Sequence, residues 1–391
     1  MSICKQAQNG TPDGIHGMTP RDRMTPAARK LRDAYARIPG APFYQKEFGF
    51  YCLEAWAKQG MPADVPREKL FGYDPSGSFA LRGLGWCEAG FAPAFEEKVL
   101  ESRGEHEVWQ DFAGRQLLCF KGRRSGFMPE YIDHPVKDFK TWEGLCKWRM
   151  NPDTPERFGV KFAESLAAAK TAAAQGLMIS QRLVGGYMYL RSLIGPEGTL
   201  YLVYDNPALI HDCMQTWFNL ADRVIAEHQK HVTLDELFIG EDICYNHGPL
   251  ISPDMIREFL FPYYAQLLQN VKARQIDKSR HLYFQVDTDG FADPVIPLYL
   301  ELGMDVMSPF EVASGCDVIR AGRQYPDLAI FGGVDKRALA QGRAAIDELI
   351  DRIFPAMQAR GGFIPTCDHG VPEEVRYEDY LYFRKRCLEF A

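Results

Sequence analysis

The feature that most constrains this chain is a series of short apolar runs beginning near residue 176. LMISQRL (177–183), ELFIGEDI (236–243), LYFQVD (282–287), DVMSPFE (305–311), LAIFGGVD (328–335) and GFIPTCDH (362–369) each have the length of a buried strand. Helical patterns lie between them, among them PDMIREFLFPYYAQLLQNVKAR at 253–274 and RAAIDELIDRIFPAMQAR at 343–360. Strands alternating with helices form βαβ units, and these build a parallel sheet with helices on its faces. The last four runs start at 282, 305, 328 and 362, and spacings of 23, 23 and 34 residues suit a short-looped (β/α)8 barrel. An open, doubly wound sheet is the alternative. Its nucleotide-binding form has no support, because no G-x-G-x-x-G or G-x-x-x-x-G-K-[ST] follows any of these runs.

The N-terminal part is less regular. Residues 1–17 read as a flexible polar tail, without the basic start, apolar stretch and small-residue cleavage site of a secretory signal. Segment 19–37 has helix-start chemistry at Thr19–Pro20. Segment 41–61 turns into a helix with Phe50, Leu53 and Trp56 on one face. Residues 91–121 alternate and carry turn residues at Arg103–Gly104 and Ala113–Gly114, which predicts antiparallel hairpins. Residues 129–160 are rich in Pro and Trp and predict short helices. The expected organisation is one α/β domain over 18–391, a TIM barrel with N-terminal helical and β-hairpin elaborations, the hairpin insertion spanning 79–125. Its aromatic hairpins could supply a homodimer surface.

Charge and cysteine usage narrow the functional classes. With 45 Lys+Arg against 52 Asp+Glu, the 391-residue chain carries a net charge of −7. Phosphate contacts need a basic face, so a nucleic-acid partner is not expected. No apolar run approaches the roughly 18 residues of a membrane span. The ten cysteines, at 4, 52, 87, 119, 146, 213, 244, 316, 367 and 387, include no C-x-x-C pair. Such scatter predicts reduced, mostly buried thiols in a cytoplasmic protein.

The chemistry is expected where the strands end. Glu241–Asp242, Asp287–Thr288–Asp289–Gly290, Glu311, Asp335–Lys336 and Cys367–Asp368–His369 all close apolar runs. In a parallel barrel, every C-terminal strand end opens on one face, where the active site is built. Each acid alone could simply cap the helix that follows, worth about 0.5–2 kcal/mol. Together, clustered carboxylates raise one another's pKa values and call for a cation, a basic substrate or shared protons. The donor types suit a divalent metal such as Zn2+, held by Asp287, Asp289, Cys367 and His369. Glu241, Asp242, Asp287, Asp289 and His369 are the expected catalytic residues. Glu47, Tyr187, Asn246, His247, Glu311, Asp335 and Lys336 are expected around the substrate. His228 and His231, late in a helix running from about residue 207, are expected to be structural.

These segments also resemble a known family. GEDICYNHGPLISPDMIREFLFPYY is similar to the part of the uroporphyrinogen decarboxylase superfamily in which a strand-end acid precedes an L-S-P-x-x-F-x-x-F-x-x-P-Y helix. FQVDTDGFADPVIPLYLELGMDVMSPFE then resembles its H-x-x-G and G-x-D segment, and FGGVDKRALAQG its G-N-x-D-P-x-x-L turn. GGFIPTCDHGVPEEV resembles its G-H-G-x-x-P strand end, while MTPRDRM at 18–24 and EFGF at 47–50 fit its start. The ordered matches run from residue 18 to the C-terminus and are strongest over 236–391. The resemblance implies a (β/α)8 barrel.

Two chemistries divide that superfamily. Decarboxylases carry an M-R-Q-A-G-R run whose arginines hold propionates; here the place reads Phe43 to Phe50, without arginine and with the added acid Glu47. The methyltransferase branch binds zinc through an H-x-C strand end and a later Cys. Those positions fall on Asp287, Asp289 and, later, Cys367 or His369. The resemblance therefore implies a corrinoid-dependent methyltransferase or demethylase, taking a methyl group from a small methoxy or methylamine compound to cobalamin on a partner protein. Decarboxylation of a tetrapyrrole is the enzymatic alternative, and a non-catalytic corrinoid-protein binding subunit is a further one.

Overall fold

A computed structural model describes residues 23–124 and 129–391. The expected 1–17 tail and the Thr19–Pro20 helix start lie outside these residues. In chain order the strands are β1 (Ser78–Leu84), β2 (Lys98–Arg103), β3 (His106–Gln110), β4 (Gln116–Phe120), β5 (Glu130–Asp133) and β6 (Met178–Val184). There follow β7 (Glu236–Gly240), β8 (Cys244–Tyr245), β9 (Gly248–Pro249), β10 (Tyr283–Asp287), β11 (Val306–Ser308), β12 (Ala329–Phe331) and β13 (Phe363–Ile364).

Seven of them form one parallel sheet in the order β1-β6-β7-β10-β11-β12-β13. All six runs read from the sequence are strands of this sheet. The chain at 43–51 lies between its two edges. The Asp74 N–H, leading into β1, donates to the Gln45 carbonyl at 2.9 Å. Beyond β13, the Val371 N–H donates to the Gly49 carbonyl and its own carbonyl accepts from the Tyr51 N–H, both at 2.9 Å. The sheet curls so that inward side chains of β1, β6, β7, β10, β11 and β12 line one cavity. This α/β architecture is the expected barrel type.

A helix closes the floor. Pro26–Tyr35 starts at Thr25, whose Oγ1 accepts from the Ala28 N–H at 3.1 Å. It packs Leu31 and Tyr35 against Met178, Tyr283, Val306, Ala329 and Ile364, the innermost side chains at the N-terminal ends of the strands. On the outer face a larger apolar cluster joins sheet to helices, including Pro207–Gln229 and Arg343–Arg360.

Two expectations need correction. The hairpin insertion does not begin at 79: Ser78–Leu84 pairs in parallel with β6 and is a strand of the central sheet. Gly83 and Gly85 interrupt its apolar run, which hid the strand from a reading based on hydrophobic length. The antiparallel sheet is β2-β3-β4-β5, turning at Arg103–Gly104 and Ala113–Gly114 as expected. The helical stretch 253–274 is two helices, Pro253–Phe259 and Phe261–Arg274. Pro262 has no N–H to continue the ladder.

Among the described residues no helix is long and apolar enough to cross a membrane. The nine described cysteines are free, and all but Cys87 are buried.

Candidate active site

Strand parity decides which side chains face the interior. Register pairs Ser180 with Glu236 and Arg182 with Phe238, then Gln285 with Phe238 and Asp287 with Gly240. Alternation sends Arg182, Glu236, Phe238, Gln285 and Asp287 inward, with Ser308 and Phe331 from the next strands. They enclose a cavity of about 290 Å³, completed by Tyr35 from the floor helix, by Tyr44, Lys46 and Phe48, and by Trp86 beyond β1. Trp86 stacks on Phe238 with centroids 5.4 Å apart and planes within 6°. Phe48 and Trp86 are each 44% exposed, so aromatic surface is left open to a ligand.

The cavity's polar groups form one connected network. The Tyr35 hydroxyl lies 2.6 Å from Glu236 Oε1 and 2.9 Å from Gln285 Oε1. The Gln285 amide N–H donates to Ser308 Oγ at 2.8 Å, and that hydroxyl donates to Asp287. Burial lifts the Asp287 carboxyl to about 6, with smaller pushes from Asp289 and Asp242 against the pull of the Ser308 hydrogen bond. Lys46 extends over Phe331, 4.8 Å from its centroid, and the Arg182 guanidinium lies 4.8 Å from the Phe238 centroid. Burial, then the Arg182 charge, lowers Lys46 to about 8. Among the described residues neither cation has an ion pair or side-chain hydrogen bond, and Arg182 Nε is buried without a partner.

Toward the mouth the charges are paired. His369 Nε2 lies 3.0 Å from Asp289 Oδ1, an interaction that raises the His369 pKa. Its ring packs on Phe48 at 5.3 Å, and its Nδ1 is buried without a partner. Asp242, in the left-handed region at φ 44°, meets Arg191 at 2.5 Å. Lys336 holds Asp368 at 2.9 Å. Glu311 accepts from the Gly290 N–H and the Ser314 hydroxyl, both at 2.9 Å.

Several expected residues serve the scaffold instead. Glu241 points to the outer face of the sheet, fully buried, where it accepts from the Tyr187 N–H at 2.8 Å and from the Tyr264 hydroxyl. It thereby caps the helix Gly186–Ile194. Gly185 permits this approach, since a Cβ there would sit 2.6 Å from the Glu241 Cα. Burial pushes the Glu241 carboxyl up to about 7. Tyr187 is buried with its hydroxyl unpartnered. Glu47 turns from the cavity to accept from the Cys367 N–H at 2.8 Å and the Tyr380 hydroxyl at 2.7 Å. Asp335 caps the short helix Lys336–Leu339 and pairs with Arg337 at 2.9 Å. Asn246 and His247 are exposed at a separate recess with Phe291, Asp293 and Arg320. His228 is structural as expected, its Nδ1 2.7 Å from Gln181 Oε1 and its ring stacked on Phe162.

The expected metal donors do not assemble. Among the described residues no group of three or more His, Cys, Asp or Glu could hold a metal ion. Asp289 and His369 meet, but Asp287 bonds to Ser308 and Cys367 faces the outer layer. The Cys367 thiol is fully buried beside Glu47 and Cys387 and its pKa is pushed well up, opposing the thiolate a zinc ion needs. This donor set does not fit zinc.

Strand-end reasoning missed Lys46, Arg182, Glu236, Gln285, Trp86 and Phe238. The signal was available in part: Arg182, Glu236 and Gln285 are polar residues inside otherwise apolar strands, all at inward parity.

Comparison with known proteins fits this architecture. No curated protein matches the chain significantly. A methyltransferase from Methanosarcina mazei superposes with a TM-score of 0.55 over 93% of this chain and 98% of that one, at 12% identity, a likeness of fold. A protein assigned as a vitamin-B12-independent methionine synthase, from Listeria monocytogenes, has a TM-score of 0.39 over 90% of this chain and 98% of that one, also at 12% identity. The family model described as uroporphyrinogen decarboxylase (URO-D) matches residues 131–389, a span that holds every sheet strand from β6 to β13 and with them Arg182, Glu236 and Asp287. On that match the chain belongs to the uroporphyrinogen decarboxylase family.

Proposed function

We propose that this protein is a methyltransferase that demethylates a small methoxy or methylamine compound in the barrel cavity and passes the methyl group to cobalamin on a partner protein. The observation that carries the reading is Asp287, a cavity-facing carboxyl whose pKa of about 6 leaves part of it protonated near neutrality. For a methoxy substrate, the C–O bond breaks, the methyl carbon goes to the reduced acceptor and the bonding pair stays on oxygen. Asp287 supplies the proton that neutralises that oxygen, and the Ser308 hydroxyl holds the carboxyl in place. The fold shared with a protein named methyltransferase supports this class. Reduced, buried thiols suit a cytoplasmic setting.

Decarboxylation of a tetrapyrrole is the weaker reading. A cavity of about 290 Å³ sits at the small end of ligand pockets, which run from roughly 300 to 1,000 Å³, and an octa-anionic macrocycle needs far more room and charge. The test is demethylation of a methoxy and methylamine panel with added cob(I)alamin. At least one compound should lose its methyl group, at a rate that Asp287→Asn lowers by about 10²-fold or more. Turnover of none, alongside turnover of uroporphyrinogen, would reverse the order of the two readings.

A further inference from the structure

The most unusual pair of groups in the cavity is Lys46 and Arg182. Both cations lie over aromatic faces, close enough for the Arg182 charge to depress Lys46, and neither has an ion-pair partner among the described residues. The nearby acids are turned elsewhere, Glu236 toward the Tyr35 hydroxyl and Asp287 toward Ser308. Glu236 and Asp287 share the cavity with them, yet among the described residues neither carboxylate forms an ion pair with either cation. Two like charges held together with neither bonded to an anion, one of them with a buried, unbonded Nε, form a site prepared for an anion. Beside it stands a flat wall, the parallel Trp86–Phe238 stack.

We infer that the cavity takes a small aromatic carboxylate, its anion between Lys46 and Arg182 and its ring against Trp86 and Phe238. This names a substrate class for the methyl-transfer reading above and rests on it for the reaction, though not for binding. A guanidinium matches a carboxylate through paired N–H donors, and the ammonium supplies the second charge. The aromatic wall selects a planar body over an aliphatic one of the same charge.

Equilibrium binding to the full chain, followed by tryptophan fluorescence and calorimetry, tests this without any methyl acceptor. The probes are benzoate, its neutral isostere benzamide, and acetate, which lacks the ring. Benzoate should bind, with benzamide and acetate each weaker by about tenfold or more. Lys46→Met and Arg182→Gln should each remove most of the preference for benzoate over benzamide while benzamide binding stays. Arg182→Lys, which keeps the charge but loses the fork, serves if Arg182→Gln does not fold. Equal binding of benzoate and benzamide, or benzoate binding unchanged in both variants, overturns the inference. If benzoate binds as expected but no methoxybenzoate is demethylated, the carboxylate site stands and the methyl-transfer reading falls. If neutral methoxybenzene is demethylated and benzoate does not bind, the reverse holds.

Discussion

Glu241 and Asp287 end neighbouring strands, and their backbones touch: the Glu241 N–H donates to the Asp287 carbonyl at 2.8 Å. Burial raises both carboxyls, to about 7 and about 6. Their surroundings are nevertheless opposite. Glu241 faces the helices and accepts from a helix N-terminus and the Tyr264 hydroxyl. Asp287 faces the cavity and has Ser308 as its one side-chain partner among the described residues. A shifted pKa therefore does not by itself mark a carboxyl that can meet a ligand; the face of the sheet on which the carboxyl lies decides that.

Replacing each acid should separate the two roles. Glu241→Ala leaves the Tyr187 N–H and the Tyr264 hydroxyl without their acceptor inside the core, a loss of about 3 kcal/mol or more. Thermal unfolding should show this as a fall of several degrees in Tm. Asp287→Asn keeps an oxygen to accept from Ser308 and should not lower Tm. A drop in Asp287→Asn as large as that in Glu241→Ala would erase the distinction.

Asp287→Asn should instead change activity and the pH profile. Loss of a positioned acid lowers the rate by about 10²–10⁴-fold. In the native protein the methyl-transfer rate should decline as pH rises through about 6, where Asp287 loses its proton. Stability has a definite sign here. The folded pKa is raised, so the stability linked to Asp287 is complete below its ordinary value near 4 and is lost as pH rises through about 6. The variant should match the native protein near pH 3 and exceed it at pH 8, by about 3 kcal/mol at most. A gap that opens toward acid would refute the assignment.

These contrasts show what the sequence could convey. Apolar runs fixed six of the seven sheet strands, because buried parallel strands are apolar on both faces. β1 escaped because Gly83 and Gly85 break its run. Strand ends located the mouth, where Asp289 and His369 do meet. What a one-dimensional reading cannot resolve is side-chain direction after a strand leaves its ladder: Glu241 and Cys367 close their runs as Asp287 does, although they face outward. Lys46 and Trp86 lie in irregular chain with no periodicity to assign them, and only the fold brings them to the cavity.

A smaller effect probes Lys46. Arg182, Glu236, Glu47 and Asp287 are the charged groups around it, and its pKa of about 8 means that it is mostly charged at neutrality. Benzoate affinity should fall as pH rises through about 8, by about tenfold at most. Lys46→Met should abolish this dependence, and a profile that survives the substitution would place the titrating group elsewhere.

The weakest effect belongs to the mouth, where the titration has the same direction as at Asp287 but substitution has the opposite effect on stability. The Asp289 hydrogen bond raises the His369 pKa, so this pair stabilises the fold fully below the ordinary histidine value near 6.5 and ceases to do so as pH rises through the raised one. Asp289 is 47% exposed in its side chain, and solvent screening holds the contribution to about 1 kcal/mol or less. Asp289→Asn should therefore lower Tm slightly at pH 5.5 and not lower it at pH 9. Asp287→Asn should instead raise Tm at alkaline pH and leave it unchanged only below about pH 4. The two aspartates stand two residues apart at the end of one strand, yet one is opposed by its burial and the other is supported by a histidine. A fall in Tm at pH 5.5 in both variants would mean that a single shared titration, rather than two separate environments, governs this end of β10.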